Sequence, residues 1–205
     1  MLSVLRGPMK RVWTPLAGRL LRAGVTPDMV TVAGTVGTVA ASLGLFATGR
    51  LFPGTMVITA LVLMDSLDGV MARARGGATV FGAFLDSTLD RVADAAVFGS
   101  LAWWLLQGAD EPIPAALSLY CLVTALVTSY AKARAEGLGL TCDVGIAERS
   151  ERLVVVLVGA GFAGLGVPYV LPVALWLLAV LTTITVAQRV AEVRRQSGSL
   201  PSASR

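Results

Sequence analysis

The residues whose types and spacing could do chemistry lie in one stretch, "MDSLDGVMARARGGATVFGAFLDSTLDRVADA" at 64 to 95, where Asp65, Asp68, Asp86 and Asp90 interrupt a chain that is 55% hydrophobic. Asp65 and Asp68 are three apart and Asp86 and Asp90 four apart, so on helices each pair shares one face. Four carboxylates meeting in an apolar setting repel one another and lose solvation unless they are neutralised by protonation, by arginine or by a divalent ion. The chain has no histidine. An all-oxygen ligand set favours a hard ion, Mg²⁺ or Mn²⁺, and four charges suffice for two of them. Asp94 extends the same face one turn on as an outer partner, with Arg91 as its structural counter-charge. The competing explanation is a set of buried Asp to Arg pairs that merely hold helices together. Gly69 and Gly82 let backbone approach a neighbour or a ligand, Ala72 keeps the surface shallow, and Arg73 and Arg75 suit a phosphate or diphosphate. Together these residues fit a phosphate ester held at a lipid surface, with paired metals activating an alcohol and stabilising the leaving phosphate. Asp90, a deep carboxylate, is a reasonable base for the alcohol proton.

The elements that must position these groups are membrane helices. A 205-residue chain this apolar is too hydrophobic for one soluble domain. Apolar runs predict six transmembrane helices, at about 29 to 49, 53 to 72, 81 to 107, 112 to 131, 150 to 167 and 169 to 188. The fold class is therefore an all-α integral membrane protein of six spans. Residues 1 to 24 form a cytoplasmic interfacial amphipathic segment, 25 to 193 the catalytic domain, and 194 to 205 a small, polar, disordered tail. In the first segment Leu5, Met9, Val12, Leu16 and Leu20 recur at helical spacing among cations, and "TPD" at 26 to 28 starts the next helix with Thr26 as cap and Asp28 at the positive dipole end.

Cations decide orientation. They crowd the N-terminal segment, the loops after the second and fourth spans, and the tail, which places both termini and the aspartate-rich loop in the cytoplasm of a cell inner-membrane protein. The second and third spans then run antiparallel, with Asp68 level with Asp86 and Asp65 level with Asp90, roughly 6 Å and 12 Å below the helix ends. The net charge of +4 is mostly topology and calls for no nucleic acid. Cys121 and Cys142 form neither a disulfide framework nor a zinc site, and no cleavable signal peptide is expected. Small residues in "GAGFAGLG" at 159 to 166 permit close helix packing within a subunit or between two. Ser129, Lys132, Arg149, Arg152 and Arg189 flank the cytoplasmic mouth, and such a basic cluster suits an acceptor that itself carries a phosphate.

The string Asp65-x2-Asp68-Gly69-x2-Ala72-Arg73-x8-Gly82-x3-Asp86-x3-Asp90 resembles the signature of the CDP-alcohol phosphotransferases at all eight fixed positions. The resemblance implies an enzyme that transfers a substituted phosphate group from a CDP-linked donor to an alcohol, releasing CMP. It assigns Asp65, Asp68, Asp86 and Asp90 to two divalent cations, Mg²⁺ or Mn²⁺, with Asp90 also the catalytic base. Asp68, Gly69, Ala72, Arg73 and Gly82 fall to the CDP-lipid. "SYAKARAE" and "GIAERSER" are similar to the bacterial phosphatidylinositol phosphate synthase branch, which implies CDP-diacylglycerol and inositol 1-phosphate as substrates. Ser129, Lys132, Arg152 and Arg189 would then bind the acceptor phosphate. The branch using glycerol 3-phosphate is the runner-up, and family membership implies a homodimer among membrane lipids. A Mg²⁺ or proton transporter is the non-enzymatic alternative, but the acids lie near one surface and no polar residues continue toward the other.

Overall fold

The structure, a computed structural model, describes residues 6–198, with side chains from Trp13 onward except at position 66. Among the described residues seven α-helices follow in order: α1 (Arg6–Arg22), α2 (Pro27–Ala41), α3 (Leu51–Ala74), α4 (Val80–Gln107), α5 (Pro112–Glu136), α6 (Arg149–Gly164) and α7 (Val170–Ser197). No strand occurs among the described residues. A π turn at Ser42–Phe46 extends α2 to the length of a span. Four helices, Pro27–Phe46, Leu51–Ala74, Pro112–Glu136 and Val170–Ser197, are long and apolar enough to cross a bilayer. Apolarity is diluted in α4 by Asp86, Asp90, Arg91 and Asp94, and α6 is only 16 residues long.

α2 packs on α3 and α4, α5 on α4 and α7, and α6 on α3 and α7. The shared core holds Phe46, Ile58, Val97, Phe98, Leu101, Leu105 and Leu175. In lipid, apolar burial between helices gains little, so close approach and interhelical hydroxyl bonds matter more. Thr124 of α5 donates to Thr182 of α7 at 2.9 Å, and Ser118 of α5 to the Phe98 carbonyl of α4 at 2.8 Å. Cys121 is buried, its thiol 3.6 Å from the Leu175 carbonyl, and Cys142 is also buried and free. Gly159, Gly161 and Gly164 make close helix contacts within the subunit. A Cβ on Gly159 would lie 2.7 Å from that of Ala174, and one on Gly164 would strike the backbone nitrogen of Phe52. Backbone cannot step aside there. Gly164→Ala is therefore expected to destabilise the fold by about 1–3 kcal/mol, read as a Tm drop of roughly 5 °C in detergent.

Two boundaries differ from expectation. α7 runs through Ser197, beyond the limit drawn at 193, because polar side chains extend it: Glu192 binds Arg195 and Gln196 one turn on, and Gln196 also bonds Thr141. Residues 199 to 205 lie outside the described residues. At the other end, α1 turns Trp13, Leu16, Ala17, Leu20 and Leu21 toward Leu67, Val70 and Met71 of α3. Leu5 and the side chains of Met9 and Val12 lie outside the described residues. Thr26 caps α2 as its sequence predicts, accepting from the Met29 amide at 3.2 Å.

Candidate active site

α3 ends at Ala74, and a turn with Gly76 and Gly77 at φ of +101° and +129° reverses the chain. Such values suit glycine. Thr79 then caps α4 by accepting from the Gly82 amide at 2.9 Å. This reversal, with α2 packed on both helices, lets aspartate side chains of α3 and α4 converge. Oxygens of Asp65, Asp68 and Asp86 lie within 4.8 Å of one another, all three residues half-buried. An all-carboxylate group this tight fits an oxygen-ligated divalent cation. The level pairing of Asp68 with Asp86 thus holds.

Asp90 follows Asp86 one turn along α4. It stands outside that trio, and its carboxylate is taken by Arg149 at the start of α6, whose Nη1 lies 2.6 Å from Asp90 Oδ1 and 3.8 Å from Asp65 Oδ2. Nε of the same guanidinium donates to Asp94 Oδ1 at 3.3 Å. Asp94 is almost wholly buried, with Arg152 Nη2 3.7 Å from its other oxygen. Arg91 pairs with Asp90 at 3.3 Å, not with Asp94. The reason is that α6 supplies Asp94 with two arginines from the facing side.

α2 contributes groups that the aspartate motif does not announce. Thr31 donates its hydroxyl to Asp68 Oδ2. A Cβ on Gly34 would lie 3.9 Å from Asp65 Oδ1, and Thr35 and Thr38 continue this face along a narrow cleft that reaches Asp90 and Arg149. Asp28 does more than face the helix dipole. A Cβ on Gly82 would sit 3.0 Å from its Oδ1, so Gly82 is the close-approach glycine its place in the motif suggests. Arg73 folds back over Gly69, with Nη1 3.4 Å from where a Cβ would stand, and Ala72 is half-buried beside them.

The basic cluster gathers around the 137–148 segment, not on an open mouth. Arg189, 5% exposed, donates to the carbonyls of Thr128 at 2.6 Å and Val144 at 2.9 Å. Arg152, 2% exposed, donates to the Ala147 carbonyl at 2.9 Å, and its Nε is buried without a hydrogen-bond partner. Lys132 is paired with Asp143 and lies 3.8 Å from Glu136, and this ammonium holds the Asp143 carboxyl below the usual carboxylate range. Ser129 donates to the Ala125 carbonyl one turn back at 3.0 Å. Arg152 is linked to the aspartates through Asp94 and Arg149. Arg189 lies within electrostatic reach of both Arg152 and Lys132.

The family profile "CDP-alcohol phosphatidyltransferase" matches residues 24–187. The phosphatidylinositol phosphate synthase of Mycobacteroides abscessus is 51% identical over 196 residues, covering 95% of this chain and 89% of that protein. That of Mycobacterium marinum is 52% identical, covering 95% and 84%. Among solved structures, the Mycobacterium tuberculosis phosphatidylinositol phosphate synthase with CDP-DAG bound superposes with a TM-score of 0.90 at 47% identity, over 95% of this chain and 100% of that one. The same enzyme with manganese and citrate gives 0.89 at 48%, over 94% and 93%. This chain, a multi-pass membrane protein with converging aspartates on α3 and α4, belongs to the CDP-alcohol phosphatidyltransferase family and is an enzyme of that class.

Proposed function

We propose that the enzyme transfers the phosphatidyl group of CDP-diacylglycerol to inositol 1-phosphate, releasing CMP and forming phosphatidylinositol phosphate. The observation that carries the acceptor assignment is charge. Arg91, Arg149 and Arg189 each lie within electrostatic reach of Arg152, while the carboxylates of Asp65, Asp90 and Asp94 are shared among Arg91, Arg149 and Arg152. Four cations against the three carboxylates Asp65, Asp90 and Asp94 leave the group net positive, which suits an acceptor that carries a phosphate. The relatives' shared name supports the same acceptor.

In this reading Asp65, Asp68, Asp86 and Asp90 would hold two divalent cations, which would supply charge neutralisation for the diphosphate and the departing CMP. Asp68, Gly69, Ala72, Arg73 and Gly82 receive the CDP moiety. Thr31 keeps Asp68 turned toward the site. Asp90 takes the proton of the attacking hydroxyl, and Ser129, Lys132, Arg152 and Arg189 place the acceptor phosphate, Lys132 exchanging Asp143 for it. Helices α2 to α7 are the six spans, α1 lies on the membrane surface, and residues 25–193 are the catalytic domain. Both termini and the active site face the cytoplasm of an inner-membrane protein, in keeping with the cation distribution. A homodimer is part of the proposal, testable by cross-linking in membranes.

The experiment is CMP release by purified protein with CDP-diacylglycerol and Mg²⁺ or Mn²⁺, offering inositol 1-phosphate, inositol and glycerol 3-phosphate in parallel and weighing the lipid product. Product with inositol 1-phosphate alone is expected. Product with glycerol 3-phosphate instead would keep the chemistry and discard the acceptor. Thr31→Val removes a hydrogen bond to a charged group, worth about 1.5–3 kcal/mol, so turnover should fall roughly tenfold. An unchanged dependence on Mg²⁺ would show that the hydroxyl is idle.

A further inference from the structure

We infer that Arg149 is the built-in counter-charge of the metal site, a positioning residue whose cation competes with the divalent ions for Asp65 and Asp90. The inference rests on the proposed metal role of the aspartates. Three observations lead to it. Arg149 is the first residue of α6, where the helix dipole disfavours a cation, so its stability there must come from the carboxylates it meets. Its guanidinium reaches three of them on two different helices: Asp90 at 2.6 Å, Asp94 at 3.3 Å and Asp65 at 3.8 Å. Asp65 meanwhile shares its carboxylate with the trio that includes Asp68 and Asp86. One carboxylate thus faces both an arginine and the space between three anions.

The consequence is a sign. A side chain that merely scaffolds a metal site weakens metal binding when removed. A cation a few ångströms from the ligands opposes a divalent ion, so its removal tightens binding. Asp94 gives Arg149 an anchor that persists when Asp65 and Asp90 are taken up elsewhere, and it keeps the guanidinium beside the base during turnover. The same residue would therefore lower metal affinity and raise catalytic efficiency.

The test is direct Mn²⁺ binding to the full-length protein in detergent, followed by the electron paramagnetic resonance of free Mn²⁺. Arg149→Gln and Arg149→Met, the latter keeping the apolar stem, should bind Mn²⁺ about tenfold more tightly than the wild type. Their CMP release should nevertheless fall. Arg149→Lys, which keeps the charge, should stay within about threefold of wild type. Weaker or equal binding by the Gln and Met variants overturns the inference. Asp68→Asn separates the two levels of the argument. If it abolishes Mn²⁺ binding while the Arg149 variants fail to tighten it, only the role of Arg149 falls; if it leaves binding intact, the metal reading of the aspartates falls and takes the inference with it.

Discussion

Asp90→Asn should lower transfer about 10²–10⁴-fold, the usual contribution of a positioned general base, while CDP-diacylglycerol binding stays within a few-fold of wild type. The asymmetry follows from placement. Asp65, Asp68 and Asp86 converge without Asp90, so the groups assigned to metal and donor keep their arrangement in the variant. Asparagine preserves the shape and can still accept a hydrogen bond from Arg149, which also retains Asp94 at 3.3 Å. What asparagine cannot do is take a proton from the acceptor hydroxyl. The chain has no histidine to substitute for it. Binding of the CDP-lipid by a tritiated-ligand assay, beside CMP release, separates the two effects. Near-normal turnover would sink Asp90 as the base, and loss of donor binding in proportion to turnover would make metal contact its main role.

Much of this site is legible in sequence because its framework is local. Two helices joined by a short glycine turn have a fixed register, so the spacing of Asp68 and Asp86 about Gly76 and Gly77 already brings them together. Asp65 opposite Asp90 is legible in the same way, for both carboxylates meet one Arg149 nitrogen, at 3.8 Å and 2.6 Å; what the local pattern hides is that a long guanidinium from α6 enters there. Nothing near residues 64 to 95 announces that Arg149 would do so. The hydroxyl of Thr31 is hidden differently. Thr31, Gly34, Thr35 and Thr38 recur at helical spacing and form a small, polar stripe on an otherwise apolar helix, a signal that a carboxylate-bearing neighbour packs there. The helix count is likewise readable, but the spans are not all readable as spans. α4 carries the site's own charges, which dilute the hydropathy that marks its neighbours, and α7 outlasts its apolar stretch because Glu192, Arg195 and Gln196 bond along the helix.

Arg152→Ala should raise the KM for the phosphorylated acceptor by roughly 10–100-fold while the donor KM changes little, the loss expected for one or two charge-assisted contacts. The buried geometry adds a second effect that must be separated from the first. Arg152 is 2% exposed and stands 3.7 Å from Asp94, itself 1% exposed. Removing one member of a buried pair typically costs about 3–5 kcal/mol. Here Arg149 remains on Asp94, which lessens that cost. Arg152→Lys discriminates between the two: it keeps a cation near Asp94 and so restores most of the stability, yet it lacks the planar fork that holds the Ala147 carbonyl and a phosphate together. Stability should therefore recover in the lysine variant, whereas the acceptor KM should stay high. Equal increases in both Michaelis constants for the alanine variant would make Arg152 a clasp between α6 and α4, and the acceptor phosphate would then have to be met closer to Arg189.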